Sequence, residues 1–325
     1  MKILVTGASG FVGGGVIKRL NEQSNFHPVA AIRREITGLP ESVAQVRVQG
    51  LAVDTDWSLA LKGIDHVVHA AARVHVMDDM AADPLSEFRQ VNVLGTLSLA
   101  RQAAAVGIKR FVFISSIKVN GEVTSANKPF TPKDQPAPVD PYGVSKMEAE
   151  QGLYELADET GMEIVIIRPV LVYGPGVKAN FLRMMSWLDK GIPLPLASID
   201  NKRSLVALDN LVDLIITCIE HPAAANQTFL VSDGADLSTS GLLSRIGSGL
   251  GKPARLIPFP VWLLHATANL LGKSDISQRL CSSLQVDIST TRSLLGWSPP
   301  ISVDEALHKT AQHFLKQQEN DDLSP

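Results

Sequence analysis

Tyr142 and Lys146 stand four residues apart, a spacing that on a helix places both side chains on one face, a turn apart. An ammonium beside a phenol favours the phenolate and lowers a pKa of about 10 toward the working range of a general acid/base. The chain has three tyrosines, and one of them holds this spacing. Ser115 and Ser116 close an apolar run at 110–114, where a hydroxyl can bond a substrate oxygen. Together these are groups for moving a proton at an oxygen. Metal chemistry is not expected: His66 and His69 fall three apart on an extended run and point to opposite faces, with His75 beyond them. Cys218 and Cys281 lack a Cys or His partner at ligand spacing, which fits a reducing compartment without a disulfide scaffold. There is no Gly-x-Ser-x-Gly elbow, so acyl transfer has no support.

A proton shuttle of this kind needs a partner, and the N-terminus offers one. Gly7, Gly10 and Gly13 lie in Thr6-Gly7-Ala8-Ser9-Gly10-Phe11-Val12-Gly13, directly after an apolar run and at the opening of a helical pattern. Missing Cβ atoms permit a tight turn, close approach to a pyrophosphate and helix-sheet packing, while helix N-terminal amides meet the negative charge. At the end of the second strand, where an acid would read a ribose 2′-hydroxyl, stand Arg33 and Arg34. A guanidinium fork matches a 2′-phosphate, so NADP(H) is favoured, with NAD(H) the alternative. Gly272-Lys273-Ser274 imitates the end of a P-loop, but Thr267 stands where that motif needs glycine.

The elements that must position these residues are legible in the first half. Strands are predicted at 2–5, 28–32, 44–48, 66–69, 110–114 and 163–167, with helices at 11–20, 58–61, 84–105 and 141–160. The alternation gives an α/β fold: a Rossmann-type doubly wound parallel sheet with a smaller C-terminal substrate-binding α/β region. Boundaries are expected at 1–168 for the dinucleotide-binding part, 169–318 for the substrate part and 319–325 for a flexible tail. The 124–139 segment, with four prolines, reads as an active-site loop. With 325 residues, 45% apolar and 19% charged, the chain can bury its own core, and disordered, collagen-like and coiled-coil readings drop out. The net charge of −3 carries no nucleic-acid footprint. The N-terminus reads as mature, the protein as cytoplasmic, and the apolar stretch 259–272 as too short to span a bilayer. That stretch is a core or interface helix, with contact to a membrane surface as the alternative.

These motifs, taken with His69-Ala70-Ala71-Ala72, Asn92 in Val91-Asn92-Val93-Leu94-Gly95-Thr96, Tyr142-Gly143-Val144-Ser145-Lys146 and Arg168-Pro169-Val170-Leu171-Val172-Tyr173-Gly174-Pro175, run from residue 1 to about 300. The chain resembles the extended short-chain dehydrogenase/reductases, the NAD(P)-dependent nucleotide-sugar epimerase/dehydratase family. The resemblance implies Ser116, Tyr142 and Lys146 as catalytic residues, with Tyr142 the acid/base at a sugar oxygen. It implies cofactor contacts at Gly7, Ser9, Gly10, Phe11, Val12, Gly13, Arg33, Arg34, Leu51, Ala70, Ala71, Ala72, Asn92, Ser115, Tyr142, Lys146 and Pro169. Asn180, Arg203 and Arg279 match positions that hold the nucleotide diphosphate, beside Ser116 at the sugar. Two departures stand out: the family's acid after the third strand falls at about Gly50, and the Asp-Glu pair of retaining 4,6-dehydratases is replaced by Ile117-Lys118. Dehydration therefore ranks third.

Within the family, residues 115–122 and 201–205 look most like bacterial O-antigen reductases acting on UDP-4-keto-6-deoxy-N-acetylhexosamine, which form UDP-N-acetylquinovosamine for surface polysaccharide. The leading expectation is reduction of a C4 ketone by NADPH, Tyr142 giving a proton to the emerging alkoxide. The alternative is a UDP-hexose or UDP-N-acetylhexosamine 4-epimerase with tightly bound NAD. A non-catalytic dinucleotide sensor is less favoured, since it should lose the tyrosine or lysine. The resemblance also implies a homodimer through helices 84–105 and 141–160, which a monomer in sedimentation equilibrium would contradict.

Overall fold

The apolar runs that open the chain pair into one parallel sheet. The computed structural model describes residues 1–36, 38–74 and 83–322, so His75 and residues 323–325 lie outside the described residues. Strands β1 (Lys2–Thr6), β2 (His27–Ile32), β3 (Ala44–Arg47), β4 (His66–His69), β5 (Arg110–Ile114) and β6 (Glu163–Pro169) match the sequence pattern to within one or two residues at each end. With β7 (Leu171–Tyr173), β8 (Leu205–Ala207) and β9 (Gln227–Val231), they make a seven-stranded sheet in the order β3-β2-β1-β4-β5-β6-β9 and a separate β7-β8 pair, every ladder parallel. Strand β5 is buried along its whole length, as a strand covered on both faces must be.

Alternation along each strand divides its side chains between two cores. Ile3, Val5, Val112 and Ile114 pack with helices α1 (Phe11–Asn21) and α7 (Leu208–Glu220). Leu4, Phe111 and Phe113 pack on the other face with α2 (Ser58–Leu61), α4 (Thr96–Ala105) and α5 (Pro141–Thr160). The helix expected at 84–105 is continuous but not uniform: α3 (Pro84–Phe88) passes into a π-helical stretch, Arg89–Gly95, before α4. Gly152 lies so close to α4 that a Cβ there would meet Leu97 at 2.7 Å.

After β6 a third core forms between α6 (Ala179–Asp189), α8 (Thr239–Gly249) and α12 (Val303–Asp322), with Tyr173, Phe181, Met185, Leu243, Ile246 and Leu307 inside. The remaining helices are α9 (Val261–Leu270), α10 (Ser274–Cys281) and α11 (Ser289–Leu295). The sequence pattern changes at 168, yet the chain re-enters the large sheet at β9, beside β6, and lays α7 against α1. The expected tail from 319 is helical through Asp322 as the end of α12. The proline-rich 124–139 segment is pinned too: Phe130 bridges Val286, and the Thr124 amide donates to Ser283 O at 2.9 Å. Among the described residues no helix is long and apolar enough to cross a membrane.

Candidate active site

The strand order reverses between β1 and β4, and in an open α/β sheet ligands gather at that switch, outside the carboxyl ends of the strands. The first turn there is built for glycine. Gly7 has φ +68°, and a Cβ on it would meet the Ala70 carbonyl and Ala71 amide at 2.8 Å. A Cβ on Gly13 would fall 2.2 Å from Gly7 O, so α1 can cross the strand end only because Gly13 has none. Gly10 caps α1 with no side-chain hydrogen bond, and the first turn of the helix has no acid. Its orphan amides are left for an anion, so this turn fits a dinucleotide pyrophosphate carried by Gly7, Ser9, Gly10, Phe11 and Val12.

The loop after β4 is tied to this turn. The Ala71 amide donates to Thr6 Oγ1 at 3.2 Å, and that hydroxyl meets His69 Nδ1 at 2.7 Å. His69 Nε2 meets Thr96 Oγ1 at 3.0 Å, so the imidazole, fully buried, spans from β1 to α4. Burial, and then the Lys146 charge, bring its pKa down to about 3. His69 is therefore a neutral strut. Ala70, Ala71 and Ala72 follow it half-buried, lining the switch. Asn92, on the π-helical stretch, has its amide filled by protein: Nδ2 donates to Arg73 O and Ser145 Oγ, each at 3.0 Å, and Oδ1 accepts from Arg73 N at 2.8 Å. Its side chain fastens the loop to α5, where the family pattern predicts a direct cofactor contact.

Asp140 and Pro141 start α5, the Asp140 carboxylate accepting from Gly143 N at 2.6 Å. Tyr142 lies in that first turn, its ring edge-on to Phe88 at 6.0 Å. Lys146, one turn on, is buried with Nζ donating to Ile114 O at 2.8 Å and sitting 4.3 Å above the Phe113 ring. That bond takes one of its three donors. Burial brings the Lys146 pKa down to about 7, with Glu150 pulling it upward. The sequence spacing predicts that the lysine lowers the tyrosine. In the structure burial, then the Asp140 charge, raise the Tyr142 phenol, because Lys146 Nζ stands 6.0 Å from the ring centre and is itself desolvated. The chain on its own holds Tyr142 protonated.

Ser116 is half-buried at the end of β5, its Oγ accepting from Lys118 N at 3.2 Å, and its hydroxyl hydrogen remains for another acceptor. Ser115 turns the other way: its hydroxyl donates to Glu150, in a buried group where Arg168 pairs with Glu150 and reaches Asn120 Oδ1 at 2.9 Å. Its hydroxyl hydrogen is thereby committed away from the cofactor position expected for it. Sequence reading misses this Glu150–Arg168 pair, although Glu150, four residues beyond Lys146, shares its helix face. Pro169 is buried where β6 ends. Arg33 and Arg34 follow β2 and are exposed, and Leu51 lies against Gly95, whose Cβ would meet Leu51 O at 2.7 Å.

Two residues far apart in sequence meet on the side expected to take the substrate. Arg203 Nη1 donates to Arg279 O at 2.9 Å and to Ser282 O at 3.2 Å. Burial lowers the Arg203 pKa, Glu122 opposing and Arg279 adding to the effect. Glu122 in turn holds Lys118 Nζ at 2.8 Å, and Lys118 pairs with Asp140 at the head of the tyrosine helix. Arg203 and Arg279 are thus linked by charge to the Tyr142 end of the sheet, while Asn180 is exposed in the first turn of α6. An open cleft of about 540 Å³, lined by Ser232, Asp236, Gln285 and Arg292, includes none of these residues.

A glycine turn at the switch point, with a tyrosine and lysine on the facing helix, defines a dinucleotide-dependent enzyme of the extended short-chain dehydrogenase/reductase class. The chain belongs to the NAD dependent epimerase/dehydratase family, whose model matches residues 3–232. It is 51% identical over 97% of its length, and 95% of the relative's, to a protein of Vibrio cholerae named UDP-glucose 4-epimerase. It is 28% identical, over 99% of its length and 98% of the relative's, to an N-acetyl-alpha-D-glucosaminyl-diphospho-ditrans,octacis-undecaprenol 4-epimerase of Escherichia coli O157:H7. Neither is a 4-reductase, the group that the motifs suggest. A solved UDP-glucuronic acid 4-epimerase from Bacillus cereus, in complex with UDP-glucuronic acid and NAD, superposes with a TM-score of 0.79 at 22% identity, covering 98% of this chain and all of that one.

Proposed function

We propose that this enzyme interconverts the C4 epimers of a UDP-sugar with NAD retained in the site. The observation that favours this over net reduction is the likeness to the Vibrio cholerae UDP-glucose 4-epimerase along nearly the whole chain. Bound NAD would be held by the Gly7–Gly13 turn, the Ala70–Ala72 loop and Lys146, and it supplies hydride acceptance and return at C4. Tyr142, protonated in the chain on its own, would act as the phenolate beside the positive charge of bound NAD, taking the proton of the C4 hydroxyl at its phenolic oxygen and giving it back. Ser116 donates a hydrogen bond to the same sugar oxygen, and Lys146 stabilises the phenolate by charge. Arg203 and Arg279 grip the diphosphate, and their guanidinium forks suit its oxygens.

The exposed pair Arg33 and Arg34 supports the second reading, reduction of a 4-keto sugar by NADPH. Nucleotide released by denaturing the purified chain separates the two. The epimerase reading expects NAD near one per chain, equally in Tyr142→Phe, whose turnover falls by about 10²- to 10⁴-fold. Released NADP(H), or no nucleotide together with NADPH oxidation by a 4-keto sugar, contradicts it.

A further inference from the structure

One helix, α9, takes no share in this chemistry. The α9–α10 hairpin is tied to the rest of the chain through the end of α10, where Arg279 O and Leu280 O accept from Arg203, Asn201 and Thr239, and α9 has no buried residue. On α9 Trp262 is 71% exposed and Leu270 87%, and beyond it Leu271 is 73% and Ile276 54% exposed, so large apolar side chains stand open to solvent. Along α9, Trp262, Ala266, Asn269 and Leu270 recur at i, i+4, i+7 and i+8, so these four exposed side chains form one stripe. The polar groups nearby are satisfied within the hairpin. Thr267 Oγ1 donates to Leu263 O at 2.9 Å, His265 Nδ1 meets Ser277 Oγ at 3.2 Å, and the Lys273 amide closes the turn on Ala268 O at 2.8 Å.

Charge says what covers this face. Residues 256–272 hold no Lys, Arg, Asp or Glu, and Arg255 and Lys273 bracket them. Between Asp236 and Asp287 there are five Lys or Arg and one acid, in a chain whose net charge is −3. Lys252 and Arg245 are paired with Asp189 and Asp304, whereas Arg255 and Lys273 are exposed and, among the described residues, have no ion pair. An apolar centre with cations at its margin matches an anionic bilayer surface, where the rings and aliphatic side chains enter the acyl boundary and the cations meet headgroups. A second copy on a two-fold axis would set these cations against each other. A helix of ten residues is about 15 Å long, half the hydrocarbon thickness, so it lies in the interface plane.

The geometry points to a peripheral membrane seat: the α9–α10 hairpin docks this enzyme onto anionic phospholipid. It does so independently of which sugar the site takes. Purified full chain is mixed with vesicles of phosphatidylglycerol and phosphatidylcholine, and with phosphatidylcholine alone, then sedimented. Binding is expected to the anionic vesicles, weakened by salt, and reduced about tenfold or more in Trp262→Ser/Leu270→Ser. That variant keeps its circular dichroism and its turnover of soluble nucleotide sugar. Equal partitioning of wild type and variant, or no binding to either vesicle, overturns the proposal. So does a wild-type dimer that the variant converts to monomer without any vesicle binding, which would give the face to a second copy.

Discussion

At the scale of single residues, the site is held by groups that stay neutral or paired while they are buried. His69 is the clearest case, its two nitrogens taken by Thr6 and Thr96 and its pKa brought down to about 3 by burial. In the unfolded chain it returns to its ordinary 6.5, so below that pH the unfolded state binds a proton that the folded state refuses. Folding stability contributed by His69 is therefore complete above about pH 6.5 and declines as pH falls toward 3. Urea unfolding between these limits should fall more steeply for wild type than for His69→Gln, by about 1 kcal/mol per pH unit. Parallel curves would mean that the folded chain accepts the proton on this imidazole. Of the site residues, Tyr142, Lys146, Ser116 and the glycines are legible in sequence because each sits in a short local motif. The destination of Ser115 is not, since it depends on Glu150 and Arg168, which only the folded sheet brings beside it.

Elements explain why those residues meet. The strands are readable because doubly covered parallel strands must be unbroken apolar runs, and the helices because their caps are explicit, as Asp140-Pro141 shows for α5. The π-helical stretch Arg89–Gly95 is not readable, since α3 before it has five residues, too few to reveal the phase shift that an inserted residue makes in the apolar pattern. Its effect is to aim Asn92 inward, where one amide joins the loop after β4 to α5. Asn92→Ala leaves Arg73 N, Arg73 O and Ser145 Oγ short of this partner, at an expected cost of about 1–3 kcal/mol. A lower urea midpoint with unchanged slope, together with weaker retention of nucleotide, is the expected outcome. Wild-type stability in this variant would show that the loop is held by other contacts.

The whole molecule joins a sheet whose switch point fits a dinucleotide to a smaller layer that brings two arginines together. Arg203 and Arg279 lie 76 residues apart and touch only because α10 folds back beside the turn before β8. That contact can be named in sequence only through the family resemblance, since no local period relates two such positions. The same scale decides the reaction, because the proposed reductase and epimerase readings both assign Tyr142, Lys146 and Ser116 and differ in whether the nucleotide leaves. The most direct measurement is incubation of the purified enzyme with UDP-glucose and, separately, UDP-N-acetylglucosamine, without added nucleotide, followed by chromatography of the sugars. Interconversion with the corresponding C4 epimer is predicted. No interconversion, with NADPH consumed in the presence of UDP-4-keto-6-deoxy-N-acetylglucosamine, would contradict the account and make Arg33 and Arg34 the readers of a 2′-phosphate.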